Sequence, residues 1–205
     1  MERIVVAITG ASGVIYGIRL LELLSQTEHE THLIVSEAGC KNIEIETSYS
    51  CDQVKRLATY CYEYQDISAS LSSGSFLTDG MIVVPCTVKT LSGIANSYTD
   101  NLIVRAADVT LKEKRKLVLV VRETPLHMGH LRLMTLAAEN GAHILPPIPS
   151  FYHQPETIDD IVNHTIGKIF DYFQIKHDLF RRWGNSITGK QRLIKENAVD
   201  YDTVS

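Results

Sequence analysis

Five short apolar runs recur along the chain, and segments with helical spacing separate them. The runs cover residues 4–9, 31–36, 81–85, 117–121 and 143–147. Runs rich in Val, Ile and Leu are typical of strands that are buried on both faces of a parallel sheet. The alternation of such strands with helices predicts an α/β fold: a single doubly wound parallel sheet of the Rossmann or flavodoxin type, in three αβα layers.

The first apolar run ends in a glycine-containing turn, Gly10-Ala11-Ser12-Gly13. Glycine permits backbone paths that other residues resist, and the helix that follows directs free N–H groups toward the turn. Such a helix start attracts a phosphate, to which the Ser12 hydroxyl would add a donor. The motif favours phosphate binding over a merely tight turn. A dinucleotide is less favoured, because Ser36 ends the second run where such sites usually carry an acidic residue.

Polar residues also follow the third and fourth apolar runs. Cys86 and Thr87 open a turn that leads through Thr90 into a helix, which repeats the arrangement of the first turn. Arg122 and Glu123 directly follow the fourth run. Ligands of open parallel sheets lie at the carboxyl ends of the strands, so we expect these residues and the glycine turn to form one site.

Segment 101–116 has the apolar spacing of a helix. Arg105, Asp108 and Lys112 share one face of that helix, so Asp108 could simply pair with both bases. A ligand-binding role for the two cations stays open beside this structural role. The serine-rich segment 62–78 is predicted to be a loop, either a binding loop or a surface excursion.

We expect one domain over residues 1–184. Helices are predicted at residues 37–47 and 52–61, and Thr157 is expected to cap the last helix. Residues 185–205 are polar and lack periodicity, which predicts a mobile tail.

Composition argues against several functional classes. The 205 residues carry a formal net charge of −4, with Lys and Arg spread along the chain, which disfavours nucleic acid as a partner. No apolar run is long enough to span a bilayer, and no secretory signal precedes the first run. The four cysteines, none in a C-x-x-C pair, are Cys40, Cys51, Cys61 and Cys86. We therefore expect a reducing, cytoplasmic setting. His127 and His130 lack a third ligand in view, and no metal is expected.

Six short motifs occur in one order along the chain. They are Gly10-Ala-Ser-Gly13, Ser72-Ser-Gly-Ser-Phe76, Pro85-Cys86, Arg105-Ala-Ala-Asp-Val109 with Leu111-Lys-Glu113, Arg122-Glu-Thr-Pro-Leu126 and Phe151-Tyr-His153. In this order and spacing the chain resembles the UbiX family of flavin prenyltransferases. The similarity extends from residue 3 to Trp183.

The resemblance implies a flavodoxin-like homo-oligomer, usually a dodecamer, that works without a metal. It implies transfer of a dimethylallyl group from dimethylallyl phosphate to N5 and C6 of reduced FMN. The product, prenylated FMN, would serve a partner decarboxylase of the UbiD type. The pathway that this decarboxylase belongs to stays open.

The resemblance also implies roles for individual residues. FMN would be held by Gly10, Ala11, Ser12, Ser36, Thr87, Val88, Lys89, Thr90 and Arg122. Dimethylallyl phosphate would be held by Arg105, Lys112, Tyr152 and Lys168, some of them from a neighbouring subunit. The catalytic positions would be Ser12, Glu46, Lys112 and Glu123. Two residues depart from the usual pattern: Lys168 replaces arginine, and Thr87 replaces serine.

Three other functions stay open. The segment Thr9-Gly-Ala-Ser-Gly13 suggests a short-chain dehydrogenase, but Gly17 follows at an unfavourable spacing, and the pair Tyr172 and Lys176 comes after the last run. A flavin-dependent cysteine decarboxylase would share the fold and FMN, but its Pro-Ala-Ser-Ala-Asn-type motif is not found. The third alternative is an accessory subunit that binds flavin without catalysis.

Overall fold

Six parallel strands form one sheet. They are β1 (Arg3–Ile8), β2 (Glu30–Val35), β3 (Tyr60–Tyr62), β4 (Gly80–Cys86), β5 (Lys116–Val121) and β6 (His143–Ile144). The structure, a computed structural model, describes residues 2–184. The strands lie in the order β3-β2-β1-β4-β5-β6, with parallel pairing throughout. The predicted doubly wound, flavodoxin-like α/β fold is thereby confirmed.

Seven α-helices occur in the described residues. They are α1 (Val14–Leu24), α2 (Glu37–Glu46), α3 (Cys51–Lys55), α4 (Val88–Ala95), α5 (Leu102–Lys112), α6 (Met128–Glu139) and α7 (Ile158–Phe173), with a short 3-10 helix at Ser70–Ser72. Six of these helices begin at a side chain that accepts a hydrogen bond from the first turn. The capping residues are Ser36, Ser50, Thr87, Asn101, His127 and Thr157. Each cap satisfies a backbone donor that the helix itself leaves unpaired.

The central strands are buried on both faces, as the uninterrupted apolar runs predict. Successive side chains of a strand point to opposite faces, so alternate residues of β1 face different helices. Val5 and Ala7 belong to the core cluster that includes buried residues of α4 and α5. On the other face, α1 packs against β1 and β4, and Gly17 brings this helix close to Ile8.

The chain divides into two compact units, the first ending at Ile148 and the second beginning at Pro149. The sheet and helices α1–α6 belong to the first unit, and α7 belongs to the second. The single domain over residues 1–184 stays a prediction. The proposed mobile tail at 185–205 lies outside the described residues.

Two strands differ from the sequence prediction. The helix expected over 52–61 ends as α3 at Lys55, and Tyr60–Tyr62 pairs as β3 with His32–Ile34 of β2. A three-residue edge strand is too short to show a hydrophobic pattern in the sequence, and it forms because pairing with a neighbouring strand stabilises it. The strand expected over 143–147 is only two residues long. It ends before Pro146 and Pro147, which have no N–H group for the ladder.

A disulfide joins Cys40 of α2 to Cys51 of α3, with the two Cα atoms 5.0 Å apart. No sequence motif predicts this pair, because the turn between α2 and α3 brings the two cysteines together. Cys61 and Cys86 are free thiols. Within residues 2–184, no helix is both long and apolar enough to span a membrane.

The packing of α1 predicts that Gly17→Ala destabilises the protein. A Cβ at residue 17 would lie 2.5 Å from the carbonyl oxygen of Val84 and 2.9 Å from Cγ1 of Ile8. Alanine is better than glycine in a helix by about 1 kcal/mol. Overpacking against a backbone carbonyl costs about 1–3 kcal/mol and outweighs that gain. Thermal unfolding should therefore show a lower midpoint.

Gly93→Ala in α4 is the matched control. A Cβ there would lie 3.0 Å from a methyl group of the Val104 side chain, which can shift more easily than backbone. We expect a smaller loss of stability than for Gly17→Ala. An unchanged or higher midpoint for Gly17→Ala would contradict the close helix–sheet contact.

Candidate functional site

The candidate site lies at the carboxyl edge of the sheet, where β1 and β4 are neighbours. The connection after β1 leads to β2 on one side, and the connection after β4 leads to β5 on the other. Such a switch point leaves a crevice between diverging turns, and open α/β sheets bind ligands there. The glycine turn follows β1, and Thr87 follows β4, so both predicted turns border this crevice.

The glycine turn has a backbone that requires its glycines. Gly13 adopts a left-handed conformation, with φ of 99°, directly before α1. Gly10 lies against Ala38 of α2, and a Cβ on residue 10 would collide with the Cβ of Ala38. Ser12 is exposed between them. Ser12 is thus accessible to a ligand, whereas the glycines at the two ends of the turn are packed against neighbouring residues.

The start of α1 binds a carboxylate of the same chain. One oxygen of Glu46, Oε2, accepts hydrogen bonds from the N–H of Gly13 at 2.8 Å and of Val14 at 3.2 Å. This geometry differs from the expectation of a phosphate at the helix start, because the same two amides already have an anionic partner. The helix dipole explains why a carboxylate is favoured there. Glu46 therefore lies beside the turn that carries Ser12.

Ser36 and Thr87 cap the helices that follow β2 and β4. The Ser36 hydroxyl accepts from the Gly39 N–H at 3.0 Å. The Thr87 hydroxyl accepts from the Thr90 N–H at 3.1 Å and donates to the Thr90 hydroxyl at 3.0 Å. These residues, expected to bind FMN, thus also shape their own turns.

Thr9 is a site-forming residue that the sequence analysis missed. Its hydroxyl donates to the carbonyl of Pro85 at 2.7 Å and accepts from the Thr87 N–H at 2.9 Å, and the residue is only 1% exposed. One side chain therefore joins the end of β1 to the turn after β4. The signal in the sequence was a polar residue at the end of a buried strand, directly before the glycine turn.

Arg122 and Glu123 lie at the same edge, after β5. The backbone N–H of Arg122 donates to the carbonyl of Cys86 at 3.2 Å, so the two strand ends are adjacent. The Glu123 carboxylate accepts from the Thr124 N–H at 3.0 Å. Both residues are exposed. Their placement after a buried strand agrees with the expected position at the crevice.

Two open clefts border the turn after β4. One, of about 560 Å³, is lined by residues that include Tyr64, Lys89, Thr90 and Tyr98. The other, of about 490 Å³, lies between α4 and α6 and is lined by residues that include Val88, Lys89, His127 and His130. Lys89 lines both clefts, so the segment expected to bind FMN is accessible from both sides.

The cations of α5 have different partners. Arg105 pairs with Asp108 at 3.0 Å and also donates to the carbonyl of Ser72 at 3.2 Å. Lys112 pairs with Glu113 at 3.2 Å. The expectation that Asp108 pairs with both bases is thus right for Arg105 and wrong for Lys112. Lys112 ends α5 shortly before β5 begins at Lys116, which places it toward the amino edge of the sheet, away from the glycine turn.

In the second unit, the Tyr152 hydroxyl lies 3.2 Å from Nε2 of His164, which also lies 3.0 Å from the Ser150 hydroxyl. Burial lowers the pKa of His164, and nearby His153 and Lys168 lower it further. A neutral imidazole can accept a hydrogen bond from either hydroxyl, so it orients Tyr152. The Lys168 ammonium lies 5.9 Å from the centre of the Phe180 ring. Two of the four residues expected to bind dimethylallyl phosphate, Tyr152 and Lys168, thus belong to this unit.

Cys86 and the two histidines of α6 have structural surroundings. Burial raises the pKa of the Cys86 thiol well above its usual range, which disfavours the reactive thiolate. His127 caps α6 by accepting from the Gly129 N–H at 3.0 Å, and its ring packs against that of His130 at a tilt of 34°, with centroids 3.6 Å apart. Among residues 2–184, no group of three or more His, Cys, Asp or Glu side chains could hold a metal ion.

Comparison with known proteins identifies the family. The family model described as Flavoprotein matches residues 1–170. Flavin prenyltransferase UbiX of Escherichia coli (strain K12) is 56% identical over 186 residues, which cover 89% of this chain and 98% of that protein. The chain belongs to the UbiX flavin prenyltransferases.

Two solved structures of UbiX proteins have the same fold. The dodecameric FMN-dependent UbiX-like decarboxylase from Escherichia coli O157:H7 has a TM-score of 0.88 and 47% identity, over 90% of this chain and 100% of that chain. AnUbiX (PadA1), in complex with FMN and dimethylallyl pyrophosphate, has a TM-score of 0.88 and 46% identity, over 90% and 98%. The resemblance inferred from the six motifs is confirmed, and the short-chain dehydrogenase alternative loses its support.

The two hydrogen bonds of the Thr9 hydroxyl predict that Thr9→Val destabilises the protein and Thr9→Ser does not. Thr9→Val keeps the volume but removes the hydroxyl, so the half-buried Thr87 N–H loses its acceptor. An unsatisfied buried donor costs about 1–3 kcal/mol of unfolding free energy. Urea unfolding should show this loss, and hydrogen exchange of the Thr87 amide should become faster. Thr9→Ser keeps both hydrogen bonds and should remain close to the unsubstituted protein; equal results for Val and Ser would contradict the link.

Proposed function

We propose that this UbiX-family protein transfers a dimethylallyl group from dimethylallyl phosphate to N5 and C6 of reduced FMN, without a metal. The observation that carries the proposal is the convergence of the glycine turn, Ser36, Thr87 and Arg122 at one strand edge, in a chain 56% identical to a flavin prenyltransferase. The AnUbiX complex with FMN and dimethylallyl pyrophosphate supports the assignment of the two substrates.

The residues at the carboxyl edge fit a flavin nucleotide. The glycine turn brings backbone donors and the Ser12 hydroxyl to the crevice, and two clefts open beside Lys89 at the start of α4. We assign FMN binding to Gly10, Ala11, Ser12, Ser36, Thr87, Val88, Lys89, Thr90 and Arg122. Arg122 supplies a cation for an anionic part of the ligand. Reduced FMN, when bound, supplies a nucleophilic nitrogen and a carbon for the two new bonds.

Cleavage of an allylic C–O bond leaves a phosphate group whose negative charge needs cationic partners. We assign this task to Arg105, Lys112 and Lys168, with Tyr152 as a hydroxyl donor. The Arg105 guanidinium can bind phosphate through two N–H groups, whereas Lys112 and Lys168 act as point charges. Lys168 therefore holds phosphate with less geometric selectivity than arginine at that position would.

We infer that the complete site needs more than one subunit. Within one chain, Lys112 lies toward the amino edge, so it can contribute to a phosphate site only on another copy. Apolar residues at the start of α6 and along it are exposed, as an interface between copies requires: Leu126, Met128, Leu131 and Leu136. The dodecameric UbiX-like structure supports a homo-oligomer, and we propose a dodecamer here as well.

Proton transfer is assigned to Ser12, Glu46 and Glu123. Glu46 is anchored through one carboxylate oxygen by the amides of Gly13 and Val14, so the other oxygen can accept a proton without release of the anchor. Ser12 lies in the adjacent turn and can pass or hold a proton through its hydroxyl. Glu123 lies at the end of β5, on the other side of β4 from the glycine turn.

The product is a modified flavin, which is useful only to an enzyme that takes it up. We propose a UbiD-type decarboxylase as the recipient and the cytoplasm as the compartment. A net charge of −4 without a basic stripe supports a small-molecule substrate rather than nucleic acid.

The first functional prediction concerns the mass of the flavin. We expect purified protein, incubated anaerobically with reduced FMN and dimethylallyl phosphate, to yield a flavin heavier by one dimethylallyl unit. Mass spectrometry of the released flavin measures this change, and a reaction without dimethylallyl phosphate is the control. Unchanged flavin mass with FMN bound would refute the transferase and favour the accessory subunit. Decarboxylation of a peptide with a carboxyl-terminal cysteine would instead favour the cysteine decarboxylase.

The second functional prediction concerns Glu46. Glu46→Gln keeps an oxygen that can accept from Gly13 and Val14, so the turn and FMN binding should be preserved. The substituted side chain cannot act as a base, and loss of a general base slows reactions by about 10²–10⁴-fold. Flavin titration and stopped-flow absorbance measure the two effects separately. Full activity of Glu46→Gln would remove Glu46 from the mechanism.

A further inference from the structure

Helix α2 forms hydrogen bonds with the glycine turn through two side chains, and only one of them has a role so far. The Asn42 side-chain amide donates to the carbonyl of Gly10 at 3.0 Å. The Glu46 carboxylate accepts from the amides of Gly13 and Val14. Residues four apart lie on the same face of a helix, so one face of α2 holds both ends of the turn.

The two contacts leave the middle of the turn for a ligand. In the part of the chain that the structure describes, the backbone amides of Ala11 and Ser12 form no hydrogen bond with protein groups. Asn42 binds the carbonyl before these amides, and Glu46 binds the N–H groups after them. The direction of the Ala11 and Ser12 donors therefore depends on both contacts.

Helix α2 itself is held firmly enough to act as a support. Ile43 is fully buried, and Gly39 lies so close to β1 that a Cβ there would be 2.7 Å from the carbonyl oxygen of Ile8. Ser36 caps the helix at its start. Side chains of α2 can therefore hold the glycine turn in a defined position.

We propose that Asn42 is a positioning residue for the flavin: its side-chain amide holds the Gly10 carbonyl so that Ala11 and Ser12 meet FMN in the productive orientation. This proposal rests on the proposed function. Asn42 does not touch the reacting atoms; it acts through the turn. Because Glu46 holds the other end, loss of Asn42 leaves the turn attached but removes the hydrogen bond that orients the Gly10 peptide group.

The expected effect follows from the strength of one neutral hydrogen bond. Such a bond contributes about 1 kcal/mol net, which corresponds to about a fivefold change in an equilibrium constant. We expect Asn42→Ala to raise the Kd for FMN about fivefold and to lower kcat by a similar factor. The KM for dimethylallyl phosphate should change less than twofold, because the residues assigned to its phosphate do not belong to the turn.

Two further variants separate positioning from general stability. Asn42→Asp is nearly isosteric but replaces the donor by an oxygen that repels the Gly10 carbonyl, so we expect a larger rise in the Kd for FMN than with Asn42→Ala. The control is Asn140→Ala, because the Asn140 amide also donates to a backbone carbonyl, that of Ala95 at 3.1 Å, away from the turn. Asn140→Ala should lower the unfolding midpoint but leave FMN affinity and kcat unchanged.

The experiment is a fluorescence titration with FMN, followed by steady-state prenylation with dimethylallyl phosphate at saturating FMN, for all four proteins. If Asn42→Ala and Asn42→Asp both stay within twofold of the unsubstituted protein in the Kd for FMN and in kcat, the proposal is overturned. If Asn140→Ala changed the Kd for FMN and kcat as much as the two Asn42 variants do, the effect of Asn42 would be merely structural, and this would overturn the proposal too. Failure of the unsubstituted protein to bind or prenylate FMN would refute the proposed function instead, and the titration reveals which of the two has failed.

Discussion

The hydrogen bonds that continue the sheet beyond its strand ends are the interaction on which the site depends. The N–H of Ser36 donates to Ile8, that of Thr9 to Pro85, and that of Arg122 to Cys86. Four turns that are far apart in sequence are thereby held at fixed positions relative to one another. A hydroxyl, a glycine turn and a guanidinium can form one site only because the parallel ladder aligns the strands that carry them.

Helix α2 further fixes the position of the glycine turn. Its start is tied to β2 through Ser36, and its last turns bind the glycine turn after β1 through Asn42 and Glu46. A carboxylate at the start of α1 also limits where a phosphate can bind, because one pair of amides cannot fully serve two anions. In the proposed site, the flavin would therefore use the remaining donors of the turn, among them the Ser12 hydroxyl beside Glu46.

The same architecture supports the proposal that the complete site needs more than one subunit. Helix α5 returns the chain toward the amino edge before β5, so its final residue, Lys112, moves away from the edge where the turns converge. In the proposed assembly, its charge would act at the carboxyl edge of another copy. The exposed apolar residues of α6 offer the burial that an assembly of copies needs.

The sequence by itself determined the α/β class, four of the six strands and most helices, because their apolar periodicity is strong and their caps are local. It also indicated the glycine turn, Thr87 and Arg122, since residues that follow buried strands share an edge in any parallel sheet. Only the tertiary structure decided β3, the Cys40–Cys51 pair, the bridge made by Thr9 and the contact of Asn42 with Gly10. Each of these joins segments whose meeting depends on strand order and helix packing, and no local pattern of residues encodes such a meeting.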